Sequence, residues 1–331
     1  MTTWMLKTNN DPLAAARNFL KAIWAYADLN GMLIPLYQTG NKSVKQTVIH
    51  HLESLVEADP FVPLMQVNAG KIVAQLANEQ PQAHMAAVLR ACEIRALNEQ
   101  VKRNRLNLEN WLIVGVDCLA CFPVQDFEWR VEKAGSVEAL TREVLRNARQ
   151  GGIALDRFRS ACQMCSKPES PHVDICIDLL GLPVKETILV DTKNDVIAEE
   201  LNLGKITDGQ APKELVAQRD HMLKKIEERR EHARERQLRE LTPDLPANLD
   251  QLVAFLQDCQ PCVKCMEACP VHAEELVPAI KSRSVTQDMA RSWLVTCAEC
   301  GMCEQACPKE VPLAAIMNRI GRELKSEAMA L

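Results

Sequence analysis

Cysteines carry the chemistry that can be read from this sequence. Cys259, Cys262, Cys265 and Cys269 stand in CQPCVKCMEACP (259–270), and Cys297, Cys300, Cys303 and Cys307 stand in CAECGMCEQACP (297–308), so the second block repeats the first. Both read C-x2-C-x2-C-x3-C-P. With that spacing three thiolates of a run wrap one cubane iron–sulfur cluster, and the fourth reaches the other cluster. The expected sets are therefore Cys259, Cys262, Cys265 with Cys307, and Cys297, Cys300, Cys303 with Cys269. Pro270 and Pro308 follow the exchanged cysteines and fix the local φ, turning the chain away from the metal. Structural zinc, which also uses CxxC pairs, is the competing reading.

Six further cysteines lie upstream: Cys92, Cys118, Cys121, Cys162, Cys165 and Cys176. Cys92 follows the apolar run MAAVL and Cys118 lies just beyond WLIVGV. Open α/β sheets place their sites at the carboxyl ends of parallel strands. A third [4Fe–4S] cluster on Cys92, Cys118, Cys162 and Cys165 is expected, with Cys121 as a substitute because it forms a CxxC with Cys118. Buried free thiols are the alternative, above all for Cys176.

The elements that must position these residues follow from periodicity. Residues 12–27 space apolar side chains as an amphipathic helix does. Met32 to Tyr37 reads as a short strand, its proline favouring an edge. Thr47 to Glu57 suggests a helix. Met85 to Leu89 as strand, Ala91 to Arg103 as helix and Trp111 to Val116 as buried strand form the alternation that a parallel sheet requires. A helix from Ser136 to Arg149 stops at Gly151-Gly152, and Thr187 to Val190 is a further strand. Between Arg219 and Glu240 the chain is dense in Arg, Lys and Glu. That pattern reads as a solvated connecting helix, or one that docks a partner, ending at Pro243 and Pro246. Each C-terminal cysteine run leads into an apolar helical stretch, Ala273 to Ile280 and Val311 to Leu324.

Composition removes several function classes. The chain has 331 residues, a formal charge of −5 and 4% aromatic residues, a poor basis for binding nucleic acid. The start MTTWMLKTNN resembles no export signal, so a reducing, cytoplasmic setting is expected, where CxxC pairs serve metals rather than disulfides. No apolar run is long enough for a membrane span. HExxH, P-loop, GxSxG and complete GxGxxG motifs are missing, and His172 has only its place beside CQMC to recommend it.

Residues from about 60 to 181 resemble the beta subunit of the coenzyme F420-reducing hydrogenases and F420-dependent formate dehydrogenases. The likeness is carried by LRACEIRAL (89–97), LIVGVDC (112–118), CQMC (162–165) and HVDICIDLLG (172–181). It implies Cys92, Cys118, Cys162 and Cys165 as cluster ligands, with Asp174 and Gly181 in the following turn, and FAD as a further cofactor. Asn68, Lys71, Arg90 and Arg95 are the candidate flavin contacts. Ala91 stands where that family has proline, and no Gly-Gly-x-x-Thr flavin element precedes Asp59.

The expected architecture is an α+β or α/β N-terminal domain with parallel-sheet elements (1–215), a charged helical connector (216–245) and a ferredoxin-like two-cluster domain (246–331). The expected function is that of an electron-transfer subunit in a flavin-dependent oxidoreductase complex. It would join a soluble F420 or nicotinamide carrier to a formate dehydrogenase, hydrogenase or disulfide-reductase type partner. The alternative is a flavin-free iron–sulfur relay and assembly subunit.

Overall fold

The computed structural model describes all residues except 1, 39, 41, 104–105, 153–156, 172, 241–244, 260–261 and 331, and gives only the backbone of 325–330. His172 and Pro243 therefore lie outside the described residues. The first half builds a seven-stranded mixed sheet: β1 (Trp4–Lys7), β2 (Gly31–Tyr37), β3 (Val44–Ile49), β4 (Met85–Arg90), β5 (Trp111–Val116), β6 (Ile175–Asp178) and β7 (Thr187–Thr192), in the order β1-β7-β6-β5-β4-β2-β3. The central strands β2, β4, β5 and β6 run parallel, while β1, β7 and β3 pair antiparallel at the two sides.

Because side chains alternate across a strand, the sheet feeds two cores. On one face Met32, Ile34, Ala86, Val88, Val114 and Val116 pack with α1 (Pro12–Ala27), which starts at an Asp11 cap with Pro12 in its first turn. On the other face Leu33, Ala87, Leu89 and Ile113 pack with α2 (Ala69–Glu79) and α3 (Ala91–Lys102). α4 (Val124–Ala134) and α5 (Val137–Leu145) join the first core. Ser136 caps α5, which ends earlier than expected, and a 3₁₀ turn then carries the chain to Gly151 at φ 81°.

Two local expectations change. Thr47–Glu57 is not one helix: β-branched Val44, Thr47, Val48 and Ile49 pair with β2, and only Leu52–Glu57 coils, as a 3₁₀ turn. Pro35 sits in a strand covered on both sides, but beyond Gly31–Leu33, the stretch that β4 pairs, so its missing N–H breaks no ladder there.

The one-turn α6 (Ser160–Gln163) carries Cys162. After β7 come α7 (Asp195–Glu200), α8 (Leu203–Ile206) and the long α9 (Lys213–Arg239). Most of α9 is exposed, as a solvated helix is, but one face of it is buried. Arg219, Arg230 and Arg234 are buried along it, with Arg234 donating to Met164 O at 2.9 Å and Ser166 Oγ at 2.6 Å, and Arg230 to Cys165 O at 3.2 Å.

The ferredoxin-like fold expected from 246 onward is not formed. From Asp195 to Ala330 the described residues hold helices and turns, with no strand beyond a single bridge between Gln210 and Trp4. α10 (Leu249–Asp258), α11 (Lys264–Glu267) and α12 (Ala273–Lys281) surround the first cysteine run, and α13 (Gln287–Val295), α14 (Met302–Gln305) and α15 (Leu313–Ala330) surround the second. The sequence repeat is thus a repeated helix–run–helix unit. Its apolar residues recur at three- and four-residue spacings, which bury a helical stripe rather than a strand face. Leu252, Leu256, Leu276, Trp293, Leu294, Ile316 and Ile320 make that core.

Candidate functional site

α3 is the scaffold on which the cysteines converge. It begins beside Cys92, at the end of β4, where Glu93 accepts from Arg90 N (2.8 Å) and Ala69 N (3.1 Å) and so fixes the starts of α3 and α2 together. Farther along, Arg95 donates to Ala298 O (3.2 Å) and Lys167 O (3.1 Å), and Gln100 to Pro270 O. Arg103 at its end meets His272 Nε2 (3.0 Å), Ser292 Oγ (3.0 Å) and Thr296 Oγ1 (3.1 Å). One face of α3 therefore holds the backbone beside Cys269 and Cys297.

The second C-terminal set shares one cradle. Cys269, Cys297, Cys300 and Cys303 line a single cavity with Pro270, Val271, Trp293 and Gly301. Burial raises the Cys303 thiol well above its ordinary value, and Cys297, Cys300, Cys269 and Cys265 reinforce the rise in that order. Burial likewise pushes Cys297 up to about 12 and Cys269 to about 11. In the first set burial pushes Cys265 up to about 12, and the neighbouring Cys307, Cys259 and Cys262 reinforce the rise. Cys307 thus neighbours Cys265 of the first run, Cys269 neighbours Cys297, Cys300 and Cys303 of the second, and Cys265 also neighbours Cys303.

The upstream cysteines gather where β4 and β5 end. Cys121 is within hydrogen-bonding reach of both Cys118 and Cys162. That bond is the first cause holding Cys118 down at about 7 and Cys162 well below the usual thiol range. Cys92 is raised by burial and has Cys118 and Cys300 nearby. Cys165 Sγ lies 3.5 Å from Lys167 O, and Cys165 and Cys92 both neighbour Arg95. Cys176 is buried on β6 against Ser170 and Pro171, away from the group.

Buried guanidinium groups surround the upstream set. Arg90 donates to Val62 O at 2.6 Å and faces Cys121, Cys118 and Cys92, yet its Nη1 has no hydrogen-bond acceptor among the described residues and stands 3.9 Å from Glu93. Nη2 of Arg95 and Nε of Arg159 are orphaned in the same way. Arg90 faces Glu93 and Arg95 neighbours Glu299, so what is unmet here is single N–H groups; buried donors without partners are costly, and the environment suits further acceptors. Arg159 gave no signal in the sequence, since neither spacing nor a motif marks it.

Of the four residues expected to contact flavin, two line a cavity of about 650 Å³ between β2, β3, α2, α11 and α14: Asn68 and Lys71. Arg90 and Arg95 do not; they lie with the cysteines. The cavity has the volume of a small-molecule site, but no aromatic or arginine side chain lines it, and Lys71 Nζ is engaged by Glu267 O at 2.6 Å. Asn68 is occupied as the cap of α2. The walls are mainly apolar, with Val62, Leu64, Met65, Ile72 and Met302 among them, and Lys45 and Lys71 are the cations there; nothing in that lining singles out FAD.

Among the described residues, no group of three or more His, Cys, Asp or Glu side chains is arranged to hold a single metal ion. Thiolates sharing one zinc at about 2.3 Å each must lie within about 4.6 Å of one another, so the zinc reading has no site there. No helix among the described residues is long and apolar enough to cross a membrane.

No protein-family model matches the chain, and no curated protein matches it. Among solved structures, a chain from the xenon-derivatised F420-reducing [NiFe] hydrogenase complex of Methanosarcina barkeri is similar at 12% identity, with a TM-score of 0.52, over 71% of this chain and 91% of that one. The likeness at that identity is one of fold: a distant structural relationship to a component of a redox complex.

Proposed function

We propose that this chain is a flavin-free iron–sulfur relay and assembly subunit of a larger redox complex. The carrying observation is the cradle of Cys269, Cys297, Cys300 and Cys303, in which the exchanged cysteine of the first run joins three from the second. Cys265, neighboured by Cys307, Cys259 and Cys262, supports the reciprocal set. Crowded, buried thiols oppose one another's ionisation, and a core of iron cations relieves that repulsion. In a cubane each thiolate binds a different iron, so the ligands stand farther apart than around one ion. When bound, such clusters pass electrons one at a time.

A third cluster would be held by Cys92, Cys118, Cys162 and Cys121. Cys121 replaces Cys165 in this reading because it bridges Cys118 and Cys162, whereas Cys165 turns to Lys167. The protein's own residues hold the three sets against each other: α3 through Arg95, Gln100 and Arg103, and α9 through Arg230 and Arg234. Substrate chemistry and any soluble carrier then belong to partner subunits.

The test is anaerobic purification with iron, acid-labile sulfide and flavin measured on one sample. About twelve iron atoms per chain with matching sulfide are expected, against about eight if only the C-terminal sets are filled, and no stoichiometric flavin. Zinc in place of iron, or iron without sulfide, would overturn the reading. One FAD per chain would restore the flavin-dependent alternative.

A further inference from the structure

Arg159 lies between two of the three cysteine sets. From the residue that opens the α6 turn, its Nη2 stands 3.5 Å from Cys162 Sγ and donates to Cys300 O at 3.2 Å, while Nη1 donates to Gln305 Oε1 at 3.0 Å. Sulfur atoms of Met302 and Met65 stand 3.9 Å and 3.7 Å from the fork. Its backbone N–H donates to Cys121 O at 3.0 Å and its carbonyl accepts from Cys162 N at 2.9 Å. The side chain is 8% exposed, and no carboxylate forms an ion pair with it among the described residues. Cys300 O and Gln305 Oε1 are neutral acceptors, and the one group it meets that favours a negative charge is Cys162 Sγ, whose thiol is held well below the usual range by Cys121 first and then by Arg159.

The two sets are pressed together at this point. Gly301, at φ 68°, packs on α6 so tightly that a Cβ there would lie 2.3 Å from Ala161 Cβ. Arg90 faces only the upstream set, and Arg103 lies at the far side of the second one. Arg95 also neighbours Cys92 and Cys300, but its hydrogen bonds go to Ala298 O and Lys167 O, whereas Arg159 has its fork on Cys162 Sγ and Cys300 O.

Resting on the cluster reading above, we infer that Arg159 is the shared electrostatic element of the relay, raising the reduction potentials of the upstream site and of the Cys269/Cys297/Cys300/Cys303 site together. Each electron that enters a buried cluster adds negative charge beside the guanidinium. In a low-dielectric interior a fixed cation within hydrogen-bonding distance favours that reduced state. Arg159 neither accepts an electron nor transfers a proton; it acts through its charge. Of the Cys259/Cys262/Cys265/Cys307 set, Cys307 lines a pocket together with Arg159, but among the described residues none of the four accepts from the guanidinium, so that site serves as the reference expected to move least.

The experiment is an anaerobic redox titration followed by electron paramagnetic resonance on wild type, Arg159→Gln, Arg159→Met and Arg159→Lys, after iron and sulfide assay of each. Absence of iron and sulfide from the wild type would defeat the cluster reading itself. With clusters present, both neutral variants should lower the reduced-to-oxidised ratio of the upstream and second sites at least tenfold at fixed potential, about 59 mV for a one-electron couple. The reference site should move less than threefold, and lysine should keep both ratios within threefold of wild type. The inference is overturned if iron-replete neutral variants leave either of the two sites within threefold of wild type, or shift the reference site equally. A lysine variant that drops like the neutral ones would also overturn it, since charge would then not be the cause. Loss of cluster iron from both neutral variants counts against it too, because Arg159 would then be needed for assembly rather than for potential.

Discussion

Arg219, on α9, donates to Asp117 Oδ2 at 2.9 Å, where the sheet hands the chain on to Cys118. The same guanidinium stands 2.7 Å from Asp178. Asp117 also accepts from Ser170 N at 3.1 Å, Leu179 N at 2.8 Å and Leu180 N at 2.9 Å. The segment that looks like a charged connector thereby anchors the strand end bearing a candidate ligand. Arg219→Met should cost about 3–5 kcal/mol, because it leaves the buried Asp117 carboxylate without its cation beside Asp178, whose carboxyl is pushed by burial well above the usual range. Chemical denaturation of the variant against wild type measures the loss; a shift under about 1 kcal/mol would show that the triad contributes little.

A second carboxylate gives a pH signature far from the cysteines. Burial raises Asp59 to about 6, although Thr141, Tyr37 and Phe61 N all donate to it and oppose the shift. The folded state therefore binds this proton more tightly than the unfolded chain, whose value is near 3.8. The resulting stabilisation is full below the unfolded value and is lost as pH rises through about 6. Between pH 5 and 7 the wild type should lose about 1 kcal/mol relative to Asp59→Asn, in which this slope is abolished. Parallel denaturation series of the two proteins across that range would reveal a constant difference if Asp59 does not titrate this way.

Legibility in the sequence tracked how local the cause of each feature was. Met85–Leu89 and Trp111–Val116 were readable because strands buried on both faces are apolar throughout. Four-residue β1 and β6 were not, since pairing with β7 rather than their own pattern makes them strands. Val48, Ile49, Leu52, Leu55 and Val56 imitate a helical stripe, yet the β2 hairpin claims the first two. The cysteine runs did not foretell the helical fold around them, because ligand spacing constrains a few turns and leaves the supporting elements free. Arg219, Arg230 and Arg234 looked solvated because their acceptors, Asp117, Cys165 O and Met164 O, are remote in sequence. Arg159 is the extreme case: its significance lies wholly in two loops that meet in space.

The α9 clamp on the CQMC loop yields a third expectation. Arg234 closes the end of α6 through Met164 O and Ser166 Oγ and is 6% exposed. Arg234→Ala should cost about 2–4 kcal/mol, the range for losing two hydrogen bonds from a charged donor and leaving a buried carbonyl unmet. It should also weaken retention of the upstream cluster while the two C-terminal ones persist. Iron per chain, followed during dilution into a mild chelator, separates those pools; uniform loss from all three would assign α9 a general role in stability instead.

The choice between Cys121 and Cys165 decides how the upstream site is built. Cys118 and Cys121 lie on the loop after β5, Cys162 on α6 and Cys92 at the start of α3, so a ligand set with Cys121 closes around the ends of β4 and β5 beneath Arg90. A set with Cys165 would instead draw its thiol away from Lys167 O and Arg95, and α9 resists that movement by holding Met164 O and Cys165 O. Cys121→Ser should therefore reduce iron from about twelve to about eight per chain and remove one paramagnetic species, while Cys165→Ser leaves both near wild type. The opposite pattern would transfer ligation to Cys165 and require the 162–166 loop to rearrange against α9 when the cluster is inserted, a movement that hydrogen exchange of that loop with and without iron would detect.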